Sequence, residues 1–339
     1  MANLYLTEQN SVLRKKGKRL VAQKGDDILL SVPCHKIDNV LIFGNVQFTT
    51  QAVTELFDNG IGLAILSRTG RLRGKITSPS AKNIELRIRQ FEKYQDESFR
   101  LDFSKQIVAG KIRNCLNFIR QFSYRHSEIG FQKETEALKK ILVNVRSEKD
   151  ANRLLGFEGN AAKIYFGAFG KMMRDDFAFA KRKKRPPTDP VNAMLSLSYT
   201  IVFNEISGVL EGVGLDPFLG YFHKPDYGRA SLASDILEEF RSPVADRLVR
   251  YLVRKRIFRK SDFYINFENN GVYFMRDAQK RYFAEYEKLL NKEFVHPEKG
   301  EKTTLRKCFR IQAEKTVSAI RHDEPYIPFV IKKNKTCGA

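Results

Sequence analysis

The chain has 339 residues, 42% of them hydrophobic, and 60 lysines and arginines against 39 acids give it a formal net charge of +21. That is room for two domains or one large one with a real core, and the positive excess, spread along the whole length, favours a polyanion, most simply nucleic acid, with a membrane surface as the rival. No stretch reads as the roughly 18 apolar residues of a spanning helix, and MANLYLTEQN carries no secretory signal. Cys34, Cys115, Cys308 and Cys337 are far apart and form no C-x-x-C pair. A zinc site or disulfide framework is therefore not expected, and a reducing, cytoplasmic setting is.

Residues 1–78 read as β-rich. Leu4–Leu6, Val12–Leu13, Leu20–Ala22 and Ile28–Val32 are short strand-forming runs, with turns at Lys16-Gly17 and Lys24-Gly25-Asp26-Asp27. HKIDNVLIFG holds a buried-type strand. A short helix over Gln51–Asp58 stops at Asn59-Gly60. Ile61–Leu66 and Arg71–Ile76 make a hairpin around Arg68-Thr69-Gly70. His35 reads as structural. Arg14, Lys15, Lys16, Lys18, Arg19, Arg68, Arg71, Arg73 and Lys75 are either a phosphate-contacting face or edge charges that discourage aggregation.

Ser78-Pro79-Ser80 marks a boundary, after which the apolar period changes from two to about 3.6. Asn83–Tyr94, Ser98–Phe122 and Gly130–Val145 are long amphipathic runs. Lys181, Arg182, Lys183, Lys184 and Arg185 form a basic loop, and Asp189-Pro190 reads as N-cap and first residue of the next helix. Arg247, Arg250, Arg254, Lys255 and Arg256 form a second basic surface within Ala245–Lys260. Phe263–Met275 reads as a β-hairpin turning at Asn269-Asn270-Gly271, and a last helix as Thr304–Ile320. The expected fold class is α+β in two domains: a β-rich domain over 1–78, a linker over 79–90, a larger all-α domain over 91–325 and an irregular basic tail over 326–339.

The candidate chemistry gathers in GLDPFLGYFHKPDYGRASLASDILEEFR, which puts His223 in a loop and Asp235, Glu238 and Glu239 on the helix behind it. Asp235 and Glu238, three apart, share a helix side, and Glu239 at four is also in range of Asp235. Such a pair can offer two oxygens to one hard divalent cation, and an added imidazole leans toward Mn²⁺ or Mg²⁺. A solvated acidic face and a polar loop histidine are the plainer alternative. Glu158, set between Gly156-Phe157 and Gly159 in an apolar helical run, is either partnered or functional, because an unpaired buried carboxylate is costly.

The order Glu158, His223, Asp235-x-x-Glu238, within LLGFEGNAAKIYF, RPPTDPVNAMLS, GYFHKPDYGRASLASDILEEFR and IDNVLIFGNVQFTTQAV, closely resembles the CRISPR-associated integrase family. These proteins are the catalytic subunits that insert captured foreign DNA into CRISPR arrays as spacers. The likeness spans about residues 3–330. It implies an N-terminal β domain for dimerisation and DNA contact and a helical catalytic domain. It further implies a homodimer, with dimers bridged by a small ferredoxin-like partner subunit, and double-stranded DNA as substrate; no membrane partner is expected. It maps a Mg²⁺ or Mn²⁺ site onto Glu158, His223, Asp235 and Glu238, which are also the catalytic residues. It favours Glu238 over Glu239 as the second acid, although the family often has Asp there, and brings Asn192 near the site. Arg182, Lys183, Lys184, Arg185, Arg247, Arg250 and Arg254 are the expected DNA contacts. The expected reaction is attack of a DNA 3′-hydroxyl on a repeat phosphodiester, with His223 as ligand or general acid. A structure-specific repair nuclease and a non-enzymatic DNA-binding scaffold are the alternatives.

Overall fold

In the first part of the chain, short β-branched and leucine-rich runs alternate with glycine turns. They form β1 (Ala2–Leu6), β2 (Ser11–Lys16), β3 (Arg19–Lys24), β4 (Asp27–Pro33), β5 (Ile37–Phe43), β6 (Val46–Phe48), α1 (Thr50–Asp58), β7 (Gly62–Leu66) and β8 (Leu72–Ile76). The computed structural model describes residues 2–77 and 83–331. The boundary expected at Ser78-Pro79-Ser80, the end of the tail and Cys337 lie outside the described residues.

The strands build two four-stranded sheets, in the orders β1-β5-β7-β8 and β4-β3-β2-β6. In the first, β1, β5 and β7 are parallel and β8 returns antiparallel to β7. Leu13, Leu20, Val40, Ile42, Leu56 and Leu63 fill the core between the sheets and α1. Leu41, Phe43, Ala64 and Leu66 alternate to the other face and join the large helical core. Burial on both faces explains why β5 reads as a continuous VLIF run rather than an alternating one. Tyr5 stacks on Phe283 at 4.2 Å, and Phe43 meets the same ring at 5.1 Å. The β unit is thereby fastened to the helices through one face of its first sheet, with a Glu8–Arg276 ion pair from the β1–β2 loop beside it.

The helical part comprises α2 (Ile84–Gln95), α3 (Glu97–Ser123), α4 (Gln132–Ser147), α5 (Ala151–Lys171), α6 (Pro190–Gly212), α7 (Ser231–Phe240), α8 (Arg247–Arg254), α9 (Arg276–Asn291) and α10 (Leu305–His322). A π-helical turn, Arg241–Asp246, joins α7 to α8. Two small hairpins interrupt the helices: β9 (Phe263–Asn266) with β10 (Gly271–Phe274), and β11 (Glu293–Val295) with β12 (Lys302–Thr304). Asn270 takes the left-handed conformation at the first turn, and Gly271 already belongs to β10. The Asp189 side chain accepts from Asn192 N at 2.8 Å, so the Asp-Pro pair caps α6 as its residue types dictate.

Three expectations are refined. Residues 84–90, placed in the expected linker and also within the amphipathic run Asn83–Tyr94, are helix, with Leu86 buried and Gln90 bonded to the Asp216 and Leu219 carbonyls at 2.9 and 3.2 Å. Residues 326–331, the described part of the expected irregular tail, form no helix or strand but are packed onto the core: Tyr326 and Phe329 are buried. Finally, α6 is by length and composition apolar enough to cross a membrane, although 72% of the relevant stretch is buried inside the fold. It is the central helix of the core.

Candidate active site

The loop ahead of α7 wraps tightly around the start of that helix. Gly220 makes this possible: a Cβ there would come within 2.6 Å of the Ser231 carbonyl carbon and 2.8 Å of Asp235 Oδ2. The backbone N–H groups of Tyr221 and Phe222 donate to Asp235 Oδ2 at 2.8 and 3.0 Å. His223 N–H donates to Oδ1 at 2.9 Å, and the His223 ring Nδ1 lies 2.7 Å from the same oxygen. Asp235 is wholly buried, and all four contacts converge on it. With Nδ1–H directed at a carboxylate, Nε2 is left as the ring nitrogen for the cleft that His223 lines.

The second cluster joins three helices. Lys111 of α3 reaches Glu158 Oε1 of α5, and its ammonium lies 2.6 Å from Glu238 Oε2 of α7. Arg241 Nε contacts the same Glu238 oxygen at 2.8 Å. Burial would push the Glu238 carboxyl up, but Arg241, Lys111 and His223 together hold it well below the usual carboxylate range. Burial likewise opposes the Lys111 charge, and Glu238 and Glu158 more than reverse that, leaving its pKa raised. Arg241 also lies over the Tyr199 ring at 4.6 Å. Tyr199 and Tyr165 donate to Asp246 at 2.5 and 2.8 Å. Burial pushes Asp246 up to about 6 despite these donors and the nearby arginines.

Lys111, Glu158, His223, Glu238 and Arg241 share one cleft of about 1950 Å³. Its walls are strongly basic and come from both parts of the chain. Arg68, Arg71 and Arg73 of the β7–β8 hairpin line it, as do Arg182, Lys184 and Arg185 of the basic loop. The nine basic residues singled out in the β unit thus divide. These three face the cleft, whereas Lys15 pairs with Glu55 at 2.5 Å and Lys75 bonds Ser207 Oγ at 2.6 Å. Lys183 is exposed beside the cleft-lining residues of its loop.

Other expected contacts sit elsewhere. Asn192 is fully buried and holds the basic loop: its Oδ1 accepts from Arg182 Nη1 and Lys183 N at 2.8 and 2.9 Å, and its Nδ2 donates to the Lys181 carbonyl at 3.0 Å. Arg250 packs over Phe118 at 4.3 Å, and burial pushes its pKa down to about 10. Arg254 lies over Phe122 and bonds His126 Nε2 at 3.1 Å. Arg247 is half-buried. These three arginines are not among the residues lining the cleft.

Glu239 points to the opposite side of α7. Its carboxylate accepts from Tyr326 Oη at 2.7 Å, Phe329 N at 2.7 Å and Gln312 Nε2 at 3.0 Å. Burial pushes it up to about 8 against those three donors.

Lys111 and Arg241 escaped the sequence reading. Lys111 had a usable signal, a lone lysine in the run IVAGKI of an otherwise apolar helix face. Arg241 stands three residues past Glu238 and needed only the helix geometry to be continued.

Glu158, Glu238 and His223 offer the oxygen and imidazole donors that suit Mg²⁺ or Mn²⁺. The two acids already converge on one positive charge, the Lys111 ammonium, so the donor set fits a hard cation. Among the described residues, no three His, Cys, Asp or Glu side chains stand close enough together to hold one as they are placed.

A profile described as CRISPR associated protein Cas1 matches residues 4–288. The CRISPR-associated endonuclease Cas1 3 of Thermus thermophilus is 34% identical over 333 residues, covering 97% of this chain and 97% of the relative. Among solved structures, a casposase bound to integration product shares the fold at TM-score 0.89 and 21% identity, covering 100% of this chain and 96% of that one. A chain of a Cas6-RT-Cas1--Cas2 complex matches at TM-score 0.82 and 25% identity, covering 98% of this chain and 36% of that one. The extent of the profile match and the identity sustained over nearly the full length establish that the chain belongs to the CRISPR associated protein Cas1 family.

Proposed function

We propose that this chain is the metal-dependent DNA integrase and endonuclease of a CRISPR adaptation complex. It would join the 3′-hydroxyl of a captured fragment to a phosphodiester at a repeat edge. The observation that carries the reading is the meeting of Glu158, Glu238 and an Asp235-oriented His223 in one basic cleft. Curated relatives that carry the name endonuclease agree with the same cleft using water as nucleophile.

Glu158, Glu238 and His223 Nε2 would hold the Mg²⁺ or Mn²⁺. Bound there, the ion supplies Lewis-acid polarisation of a phosphodiester oxygen and stabilises the charge that develops on it. Asp235 acts through His223: with four donors already directed at it, it fixes the ring and its tautomer rather than adding a ligand. Arg241, stacked on Tyr199, holds Glu238 in place. Arg68, Arg71, Arg73, Lys184 and Arg185 would contact DNA phosphates, with little reading of sequence. Arg182 is engaged by Asn192 and Ser196 and contributes chiefly field. Arg247, Arg250 and Arg254 contribute less to DNA than the cleft residues do.

A homodimer and a small ferredoxin-like adaptation subunit complete the proposed assembly, acting in the cytoplasm; the Cas1–Cas2 complex matched at 25% identity supports the partner. The test is a strand-transfer assay with a 3′-hydroxyl duplex and a supercoiled repeat plasmid, with Mn²⁺ or Mg²⁺, with and without the partner. Joined product that disappears in His223→Ala is expected. Nicking without joining would leave a nuclease, and no reaction in any condition would defeat the reading.

A further inference from the structure

Lys111 sits in the middle of α3, beside buried Ile107, Val108, Ile112 and Cys115. An ammonium in such a place is costly unless it is paired. Its partners come from two other helices, Glu158 on α5 and Glu238 on α7. Arg241 adds a second cation on Glu238. Two carboxylates, one ammonium and one guanidinium sum to zero. The cluster is therefore electrically complete without any metal, and the ammonium stands between the two acids that would hold one.

We infer that Lys111 is a resident counter-cation that competes with the divalent metal for Glu158 and Glu238 and withdraws from them when the metal binds. This rests on the functional reading above. Adding a doubly charged ion to a neutral, buried cluster leaves two uncompensated positive charges, and like charges a few ångströms apart repel strongly in a low dielectric. Arg241 is held by its stacking on Tyr199 as well as by Glu238. Lys111 has a flexible stem, a place on the cleft wall and, among the described residues, ion pairs with these two acids alone, so it is the cation free to leave. In the metal-free protein the same ammonium keeps α5 and α7 tied, and the two acids remain poised for the ion.

The test is Mn²⁺ binding to the full-length protein, read from the free-ion electron paramagnetic resonance signal, for wild type, Lys111→Met and Glu158→Gln. Lys111→Met is expected to bind Mn²⁺ about tenfold or more tightly than wild type, because the competitor is gone. Glu158→Gln should lose the binding. A second measurement uses only wild-type protein and so does not depend on the variant folding: acetylation of Lys111 by acetic anhydride, followed by peptide mass spectrometry, should rise when Mn²⁺ is added. Equal or weaker binding by folded Lys111→Met, or unchanged Lys111 acetylation, overturns the inference and leaves the functional reading standing. Absence of Mn²⁺ binding by wild type overturns both.

Discussion

Glu238 and Glu239 are adjacent on α7 and both are buried, yet the two sides of the helix treat them in opposite ways. Glu238 meets Lys111 and Arg241, and two cations hold its charge in place. Glu239 meets a phenol, an amide and a backbone N–H, and burial outweighs these donors and the more distant Lys315 charge, favouring its neutral form. The first side opens on the cleft. The second carries the segment 326–331, which Asn114 also fastens by donating to the Phe329 carbonyl at 2.7 Å and accepting from Ile331 N at 2.9 Å. Gly110, one residue before Lys111, lets this segment lie close: a Cβ would come within 2.6 Å of Pro328 Cβ. One side of the helix holds charge for chemistry, and the other turns polar contacts into attachment.

The comparison breaks most clearly at Glu238. Glu238→Gln is expected to lower metal-dependent strand transfer by several kcal/mol in the barrier, about 10³-fold or more. Duplex binding measured at low salt should persist, since the phosphate contacts lie along the cleft walls. Transfer within tenfold of wild type would remove Glu238 from the site. Glu239→Ala should do the reverse. It leaves the Tyr326 hydroxyl, the Phe329 N–H and the Gln312 amide without their shared acceptor, costing about 2–3 kcal/mol of stability. Urea unfolding measures this loss, and Mn²⁺ affinity should stay within about twofold of wild type. A variant that keeps its stability but loses metal would reverse the assignment of the two sides.

That division was only half legible in the sequence. The i, i+3 and i, i+4 spacings placed Asp235, Glu238 and Glu239 within reach of one another, and the family likeness chose Glu238. Nothing local could show that Glu239 faces residues 73 to 90 positions away, because such a partner is set by tertiary packing. Asp235 is the clearest case: spacing made it a ligand candidate, whereas the Gly220 turn directs three backbone N–H groups at it. The strands, the α6 cap and the change of period near residue 78 are local signals and could be read. The burial of Tyr326 and Phe329 could not, since a Pro-rich basic tail looks the same whether packed or loose. The basic residues carried the least local information: Arg71 and Arg250 look alike in sequence, and only the fold sends one to the cleft and the other onto Phe118.

A finer probe of the cleft side is Asp235→Asn. It keeps the shape but replaces an acceptor with a donor on one arm, so His223 Nδ1–H loses its carboxylate and the ring its fixed tautomer. Strand transfer should fall about 10–100-fold, the usual cost of removing the outer partner of a ligating histidine. Mn²⁺ affinity should fall with it. If transfer falls while His223→Ala has no effect, Asp235 acts on the reaction by another route.

The smallest effect expected is a slope. Glu239 is raised in the fold, from an ordinary glutamate value near 4.5 to about 8. A raised carboxyl binds its proton in the folded state over a range where the unfolded chain has lost it. Its contribution to stability is therefore full below about 4.5 and declines as pH rises through that window, levelling off above about 8. Glu239→Gln is neutral at every pH and removes this contribution. Between pH 6 and 7.5 the wild type should lose stability relative to Glu239→Gln by up to about 1.4 kcal/mol per pH unit, the limit for one proton. Glu238 works in the opposite sense and outside that window: held low by its cations, it loses stability only as pH falls below the ordinary carboxylate range. Urea unfolding of both proteins at half-unit steps separates the two glutamates. Parallel curves from pH 6 to 7.5 would mean that the three donors keep Glu239 ionised, and both sides of α7 would then carry charge.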